Sequence, residues 1–214
     1  GYARFVDAHT IEVNGEEYRA NHIVIATGAK PVIPNVEGKE LGGTSDDVFA
    51  WDVLPQSVAI LGAGYIAVEL AGVLHALGVK TDLFVRRDRP LRNFDHSIIE
   101  VLVAEMEKSG PTLHTNKVPQ KLVQLEDGTV EIHFEDGTTF AAEKVIWATG
   151  RTPHTEGLNL EAAGVELTER GFIKVNEFQE TTAEGVYALG DVSGEKELTP
   201  VAIKAGRTLA ERLF

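Results

Sequence analysis

The sequence of 214 residues contains no cysteine, and it has little basic charge for its length. Without cysteine, these residues cannot form a disulfide framework, a thiolate metal site or a cysteine nucleophile. No apolar run is long enough to span a bilayer, so we expect a protein of the cytoplasm. The 33 acidic and 20 basic residues give a formal net charge of -13. This balance disfavours nucleic acid as a partner, because nucleic acid selects a basic face.

The sequence does contain the local signals of an α/β fold, with strand and helix patterns in alternation. Residues 3–7, 9–13 and 16–20 are predicted to form short strands, and Asn14-Gly15 predicts a hairpin turn between the last two. A buried strand is predicted at 22–27, because its apolar run is continuous. Further strands are predicted near 172–175 and 186–189, and a final helix begins at Thr199.

Residues 57–85 follow the order strand, tight turn, helix, strand that is typical of a dinucleotide-binding unit. The turn is Gly62-Ala63-Gly64, and the helix is predicted from 65 to 77. In such units the first glycine permits the turn, and the second lets the backbone approach a pyrophosphate. A small residue, here Ala67, then keeps the helix close to the strand. The helix N-terminus presents N–H groups to the phosphates, so the pattern predicts a dinucleotide site.

The residues that follow the second strand indicate which dinucleotide binds. NAD sites place an acid at the end of this strand to bond the ribose hydroxyls, whereas Val85 holds that position here. An arginine-rich loop follows, and guanidinium groups pair well with a 2′-phosphate. We therefore predict NADPH rather than NADH as the ligand, bound by Arg86, Arg92 and Arg87, with Arg89 facing water. The alternative is a solvated basic loop on an acidic protein.

Two apolar strands that both end in Ala-Thr-Gly, at 26–28 and 148–150, stand on either side of this unit. They indicate two crossings between the dinucleotide unit and a domain into which it is inserted.

Longer stretches of the chain match a known family. They are GAGYIAVELAG (62–72), LFVRRDRPLRNFD (83–95), IWATGRTP (146–153), LNLEAAGV (158–165), YALGDVSG (187–194) and LTPVAIKAGRTLAERLF (198–214). On these motifs the chain resembles the pyridine-nucleotide disulfide reductases, and within them the bacterial glutathione reductases. The resemblance implies an α/β fold in which a Rossmann-like NAD(P)-binding domain, residues 30–153, is inserted in part of a second, FAD-binding Rossmann-like domain. That second domain would comprise residues 1–29 and 154–214.

The resemblance also implies further site residues. On the NADPH side it adds Tyr65, Ile66, Glu69, Gly150 and Arg151, and for FAD it implies Thr27, Gly28, Asp191, Leu198 and Thr199. It assigns Arg207 to an anionic substrate. Each assignment has an ordinary alternative, such as a packed aromatic ring for Tyr65, a surface acid for Glu69, a surface ion pair for Arg151, a simple turn at Asp191 and a solvated base for Arg207.

The activity implied is transfer of electrons from NADPH through FAD and a redox dithiol to glutathione disulfide, in a homodimeric enzyme. The family's first flavin motif, its paired-cysteine segment and its C-terminal domain with the catalytic histidine have no counterpart in these residues. We therefore expect a piece of a longer protein that holds no catalytic residue and no metal site, does not retain FAD and is inactive alone.

Several alternatives stay open at this point. Mercuric, trypanothione and dihydrolipoamide reductases share the framework. The arginines argue against the lipoamide type, which uses NADH, and Arg207 favours glutathione over a cationic substrate. A flavin reductase without a cysteine pair is a second class, and a stand-alone NADPH-binding module is a third.

Overall fold

The computed structural model describes all 214 residues, and the chain divides into two compact units. One unit, here called the continuous unit, is Pro31–Gly150. The other, the split unit, combines Gly1–Lys30 with Arg151–Phe214. No helix has both the length and the apolar character needed to cross a membrane.

The elements follow one another in an α/β order, which confirms the predicted fold class. Before residue 57 they are β1 (Ala3–Asp7), β2 (Thr10–Val13), β3 (Glu16–Arg19), β4 (Ile23–Ile25), β5 (Ala29–Pro31) and α1 (Ser45–Val48). From there to residue 147 they are β6 (Ser57–Leu61), α2 (Tyr65–Ala76), β7 (Lys80–Phe84), α3 (His96–Ser109), β8 (Thr112–His114), β9 (Pro119–Gln124), β10 (Val130–Phe134), β11 (Thr139–Ala142) and β12 (Lys144–Trp147). The remainder holds β13 (Arg151–Pro153), α4 (Leu160–Ala163), β14 (Val186–Ala188) and α5 (Thr199–Leu213), and short 3-10 helices lie at Lys39–Leu41 and Gly190–Ser193.

The continuous unit is built on a parallel sheet of four strands in the order β12-β6-β7-β8. Helix α2 connects β6 to β7, and α3 connects β7 to β8. Leu61 of β6 pairs with Phe84 on one side and with Trp147 on the other. The strand order therefore reverses at β6, and in open α/β sheets a ligand crevice forms outside the carboxyl ends of the strands at such a point.

Both faces of this sheet are covered, as the alternation of side chains along a strand requires. Val58 and Ile60 of β6 pack in a cluster with α2, including Ala67 and Leu74. Ala59 and Leu61 face the opposite way and pack in a second cluster with the antiparallel strands β9, β10 and β11. The core residues of β6 and β7 are consequently almost fully buried, which fixes the ends of these strands firmly.

The split unit contains an antiparallel sheet, β1-β2-β3, and a parallel pair, β14-β4. The predicted hairpin is confirmed, because Asn14 and Gly15 join β2 to β3 with φ of 56° and 86°. Such paired positive φ values suit a two-residue hairpin turn. Phe5 and Ile25 share a core cluster with residues of β14 and α4.

Two expectations for this unit are wrong. Residues 22–27 do not form a fully buried strand, since the strand spans only Ile23–Ile25 and Val24 is 48% exposed. Residues 172–175 form no strand either, because only a single bridge joins Ile173 to Leu167. An apolar run indicates that burial of the segment is favourable. It does not indicate which other elements pack on the segment or pair with it.

Candidate functional site

A cleft of about 720 Å³ opens in the continuous unit where β6 and β7 end. Its lining includes the glycine turn Gly62-Ala63-Gly64 and four arginines of the following loop, Arg86, Arg87, Arg89 and Arg92. The two segments meet because parallel neighbours end at the same edge of the sheet. The cleft thus lies at the reversal of strand order, and it brings together predicted residues that are separated by more than twenty positions.

The two glycines of the turn differ in what a side chain at their positions would meet. A Cβ on Gly62 would lie 2.1 Å from the carbonyl oxygen of Ala148, so only glycine lets β6 and the end of β12 approach this closely. A Cβ on Gly64 would meet nothing within 4 Å, so the fold leaves open space there. Gly64 is the N-cap of α2 and supplies no side-chain cap. The first-turn N–H groups of this helix therefore suit an anion at the open position.

The position at which an NAD site carries an acid is filled by a buried valine. Val85 is 0% exposed, its N–H donates to the carbonyl of His114, and its carbonyl accepts from the N–H of Lys117. The chain then turns outward into the arginine loop, where Arg86, Arg87 and Arg92 are exposed. None of the four arginines of this loop takes part in an ion pair within 4.0 Å.

Arg89 does not face water as expected, because its side chain is only partly exposed and lines the cleft. Its Nε is buried and has no hydrogen-bond partner. No other buried side-chain nitrogen or oxygen of the chain lacks a partner. A buried donor without a partner costs about 1–3 kcal/mol. The run of arginines gave no signal that would distinguish one of them, since their orientations are set by the loop's backbone.

Backbone contacts tie the arginine loop to the glycine turn. The N–H of Leu91 donates to the carbonyl of Ala63 at 2.7 Å, and Pro90 before it is buried. Leu91 has φ of 53°, a conformation that is uncommon and strained for a residue with a branched side chain. The surrounding contacts hold this conformation, and they fix the loop at the rim of the cleft.

Sequence reasoning missed the opposite wall of the cleft, which includes Lys117 and Glu135. The ammonium of Lys117 donates to Asp136 at 2.6 Å and to the hydroxyl of Thr138 at 2.8 Å. The hydrogen bond from Lys117, together with those that the hydroxyl and the N–H of Thr138 donate to Asp136, holds the pKa of Asp136 well below its ordinary value. No local motif marks these residues, because they reach the cleft only through the packing of β9, β10 and β11 against the sheet.

The other residues predicted for NADPH lie outside the lining of the cleft. Ile66 and Ala67 pack in the core under the turn, and Tyr65 and Glu69 are exposed on α2. Gly150 is exposed at the end of the continuous unit. Arg151 belongs to the split unit, where its guanidinium donates to the carbonyl of Ala29.

The residues predicted for FAD and for substrate all lie in the split unit. The hydroxyl of Thr27 donates to the carbonyl of His154 at 2.7 Å, and the carbonyl of Gly28 accepts from the N–H of His154. Asp191 lies in the 3-10 helix Gly190–Ser193. Helix α5 begins at Thr199 after Leu198, with no side-chain cap. Arg207 is exposed on the same helix.

Comparison with known proteins bears on this arrangement. The family model for pyridine nucleotide-disulphide oxidoreductases matches residues 1–206. A glutathione reductase of Schizosaccharomyces pombe is 43% identical over the whole chain, which covers 48% of that protein. The chain therefore spans about half the length of this curated relative.

Solved structures agree with the fold. The HOCl-induced flavoprotein disulfide reductase RclA of Escherichia coli matches with a TM-score of 0.93 at 29% identity, over 100% of this chain and 50% of that one. Its Cu(II) complex matches with a TM-score of 0.91 at 27% identity, over the same shares of the two chains. The Rossmann-like fold and the family predicted from sequence are confirmed, and the chain belongs to the pyridine nucleotide-disulphide oxidoreductases.

Proposed function

We propose that the continuous unit binds NADPH and that the split unit is part of the FAD-binding domain of a glutathione-disulfide reductase. The observation that carries the proposal is the pairing, in one cleft, of the glycine turn with four arginines that have no acidic partner. The similarity to a glutathione reductase supports the choice of disulfide substrate.

The residues of the cleft fit NADPH by their chemistry. The open space beside Gly64 and the uncapped N-terminus of α2 suit a pyrophosphate, which carries negative charge and only accepts hydrogen bonds. Buried Val85 offers no carboxylate to the ribose hydroxyls of NADH. The guanidinium groups suit the 2′-phosphate, because they donate several charge-assisted hydrogen bonds to phosphate oxygens.

In this proposal the chain contributes binding and orientation. Bound NADPH supplies a hydride for reduction of the flavin. The glycine turn holds the pyrophosphate by backbone N–H groups, and the arginine loop holds the adenosine end. Within the continuous unit, we propose that the nicotinamide is bordered by Tyr65, Ile66 and Glu69 of α2 and by Gly150. The chain has no cysteine, so the dithiol that reduces the disulfide must be supplied from outside these residues.

For the flavin, the split unit offers part of a site. Asp191 can accept hydrogen bonds from a ribityl chain, and Thr27 and Gly28 can approach the cofactor with backbone atoms. Leu198 and Thr199 begin α5, and its uncapped N-terminus would favour negative charge on a nearby ring. We propose that Arg207 contacts the anionic substrate and that the whole enzyme is a homodimer. The chain alone is not expected to retain FAD.

Calorimetric titration of the 214-residue chain with NADPH and with NADH tests the NADPH assignment. We expect clear preference for NADPH, and the double variant Arg86→Ala, Arg92→Ala should reduce that preference by about 1–3 kcal/mol because charged hydrogen bonds are lost. Lys108→Ala is a control that removes one positive charge outside the lining of the cleft. Its ammonium pairs with Glu105 at the C-terminal end of α3, away from the cleft.

Two results would contradict the proposal. Equal affinity of the unsubstituted chain for the two dinucleotides would remove the NADPH assignment. A stoichiometric yellow complex of the purified chain with FAD would show that the split unit alone suffices for flavin binding. Preference for NADH would instead favour a reductase of the dihydrolipoamide type.

A further inference from the structure

Arg89 differs from the other arginines of its loop in one respect. Arg86, Arg87 and Arg92 are exposed, so water can solvate their guanidinium groups. The Nε of Arg89 is buried inside the lining of the cleft and has no acceptor in the protein. Buried polar groups in folded proteins nearly always have partners, and an exception calls for an explanation in terms of function or a bound species.

The surroundings of Arg89 leave its charge uncompensated. The chain has an excess of acidic residues, yet no acid lies within 4.0 Å of any of the four guanidinium groups. The neighbouring Asp88 lies with Arg86 and Arg87 in an adjoining recess, but it pairs with neither. Lys117 of the opposite wall is already bound to Asp136. Arg89 therefore brings an uncompensated positive charge to the lining of the cleft, and such a charge favours an anionic ligand there.

The position of the loop indicates which anion this is. A pyrophosphate at the glycine turn can be held by backbone N–H groups and the N-terminus of α2. A phosphate on the adenosine ribose would lie beyond the end of β7, next to the arginine loop. The bond from Leu91 N–H to Ala63 and the burial of Pro90 hold Arg89 in place before any ligand arrives.

We propose that Arg89 determines specificity for the 2′-phosphate, its guanidinium donating to that group from inside the cleft while Arg86 and Arg92 donate from the exposed side. This inference rests on the proposed NADPH function. It assigns to Arg89 the selective part of binding, because a partly buried guanidinium gains more from an acceptor than a fully solvated one does.

The test is calorimetry on the 214-residue chain with two probes of equal phosphate number, adenosine 2′,5′-bisphosphate and ADP. Arg89→Ala should weaken binding of the bisphosphate by about tenfold, which corresponds to about 1.4 kcal/mol. Binding of ADP should change by less than about twofold. Lys108→Ala, which removes the same charge far from the cleft, should change neither.

A second variant separates recognition from folding. Arg89→Met keeps an unbranched apolar stem and removes the unpaired Nε, so the Tm of the unliganded chain should stay equal or rise. The increase in Tm on addition of NADPH should shrink, while the smaller increase with NADH stays the same.

The possible results distinguish failure of the role of Arg89 from failure of the NADPH proposal. Equal weakening of both probes would place Arg89 on the adenosine or the 5′-phosphate that they share and overturn the inference, as would unchanged binding of the bisphosphate. If the unsubstituted chain prefers NADPH but Arg89→Met retains that preference, only the role of Arg89 fails. If the unsubstituted chain shows no preference, the NADPH proposal fails and the role of Arg89 fails with it.

Discussion

The two units cover their parallel strands to different extents. In the continuous unit, β6 and β7 lie between helices on one face and an antiparallel sheet on the other, and Leu83 of β7 is 0% exposed. In the split unit, β4 pairs in parallel only with β14, and Val24 is 48% exposed. Parallel sheets are ordinarily buried on both faces. The continuous unit meets that condition and the split unit does not.

The difference bears on where a binding site can be rigid. The cleft of the continuous unit stands on strands whose ends are fixed by two core clusters, so its glycine turn and arginine loop are held before a ligand binds. Such preorganisation reduces the entropy cost of binding. The residues proposed for FAD lie on a less completely covered framework. We therefore expect the chain to bind a dinucleotide more readily than a flavin.

Matched core substitutions should show the largest effect. Leu83→Ala in the continuous unit should lower the free energy of unfolding by about 2–5 kcal/mol, because it leaves a cavity between two packed layers. Val24→Ala in the split unit should cost less than about 1 kcal/mol, since half of that side chain already contacts water.

Tryptophan fluorescence during urea unfolding checks this pair. Trp51 and Trp147 are the only tryptophans, and both lie in the continuous unit. Leu83→Ala should move the fluorescence transition to lower urea, and Val24→Ala should leave it in place. The cost of Val24→Ala is read from circular dichroism, which reports both units, and a loss of stability there as large as that of Leu83→Ala would show that the difference in burial has no energetic counterpart.

Substitutions at the glycine turn should change the free energy of unfolding by less than Leu83→Ala does. They compare two positions of the continuous unit, one tightly packed and one open. Gly62→Ala places a Cβ against the backbone carbonyl of Ala148, so something must shift, and it should cost about 1–3 kcal/mol of stability. Gly64→Ala meets open space at φ of -86°, and its stability should change by less than about 1 kcal/mol.

NADPH binding then separates the roles of the two glycines. Gly64→Ala should retain its fluorescence transition yet lose affinity for NADPH by about tenfold or more, because its methyl group occupies the space proposed for the pyrophosphate. Gly62→Ala should lose both stability and affinity. Full affinity in Gly64→Ala would place the pyrophosphate elsewhere.

Much of this site could be predicted from sequence, because its signals are local. The strand Ser57–Leu61, the helix Tyr65–Ala76 and the strand Lys80–Phe84 follow the order predicted for residues 57–85, and the helix ends within one residue of its predicted end. Apolar periodicity and glycine punctuation act over a few residues and suffice for such elements. The meeting of the glycine turn and the arginine loop also follows from the parallel arrangement of the two strands.

The remainder depends on contacts that local sequence does not encode. The loop that carries Arg89 into the lining of the cleft is held by the bond between Leu91 and Ala63 and includes the unusual φ of Leu91. Lys117 joins the cleft because β9, β10 and β11 cover one face of the sheet. The exposure of Val24 depends on which elements pack on its strand. The apolar sequence of the strand is the same whether or not an element packs there.

Protonation of a single carboxylate at low pH should produce the smallest effect on stability. Tryptophan fluorescence should detect this effect for a carboxylate of the continuous unit and not for one of the split unit. Hydrogen bonds from Lys117 and then Thr138 lower the pKa of Asp136 from its ordinary value of 3.8. A lowered folded-state pKa means that this carboxylate stabilises the fold above about pH 4 and that the contribution is lost as the pH falls below it. Asp136→Asn should therefore lower the urea midpoint at pH 7 and lower it by less at pH 2, and salt should reduce the pH 7 effect because the pair is partly exposed. Glu180→Gln is the matched change in the split unit, where an amide hydrogen bond from Asn176 and then Arg212 lower the pKa of Glu180. It should leave the tryptophan transition unchanged at both pH values, and a shift there would show that the two units unfold as one.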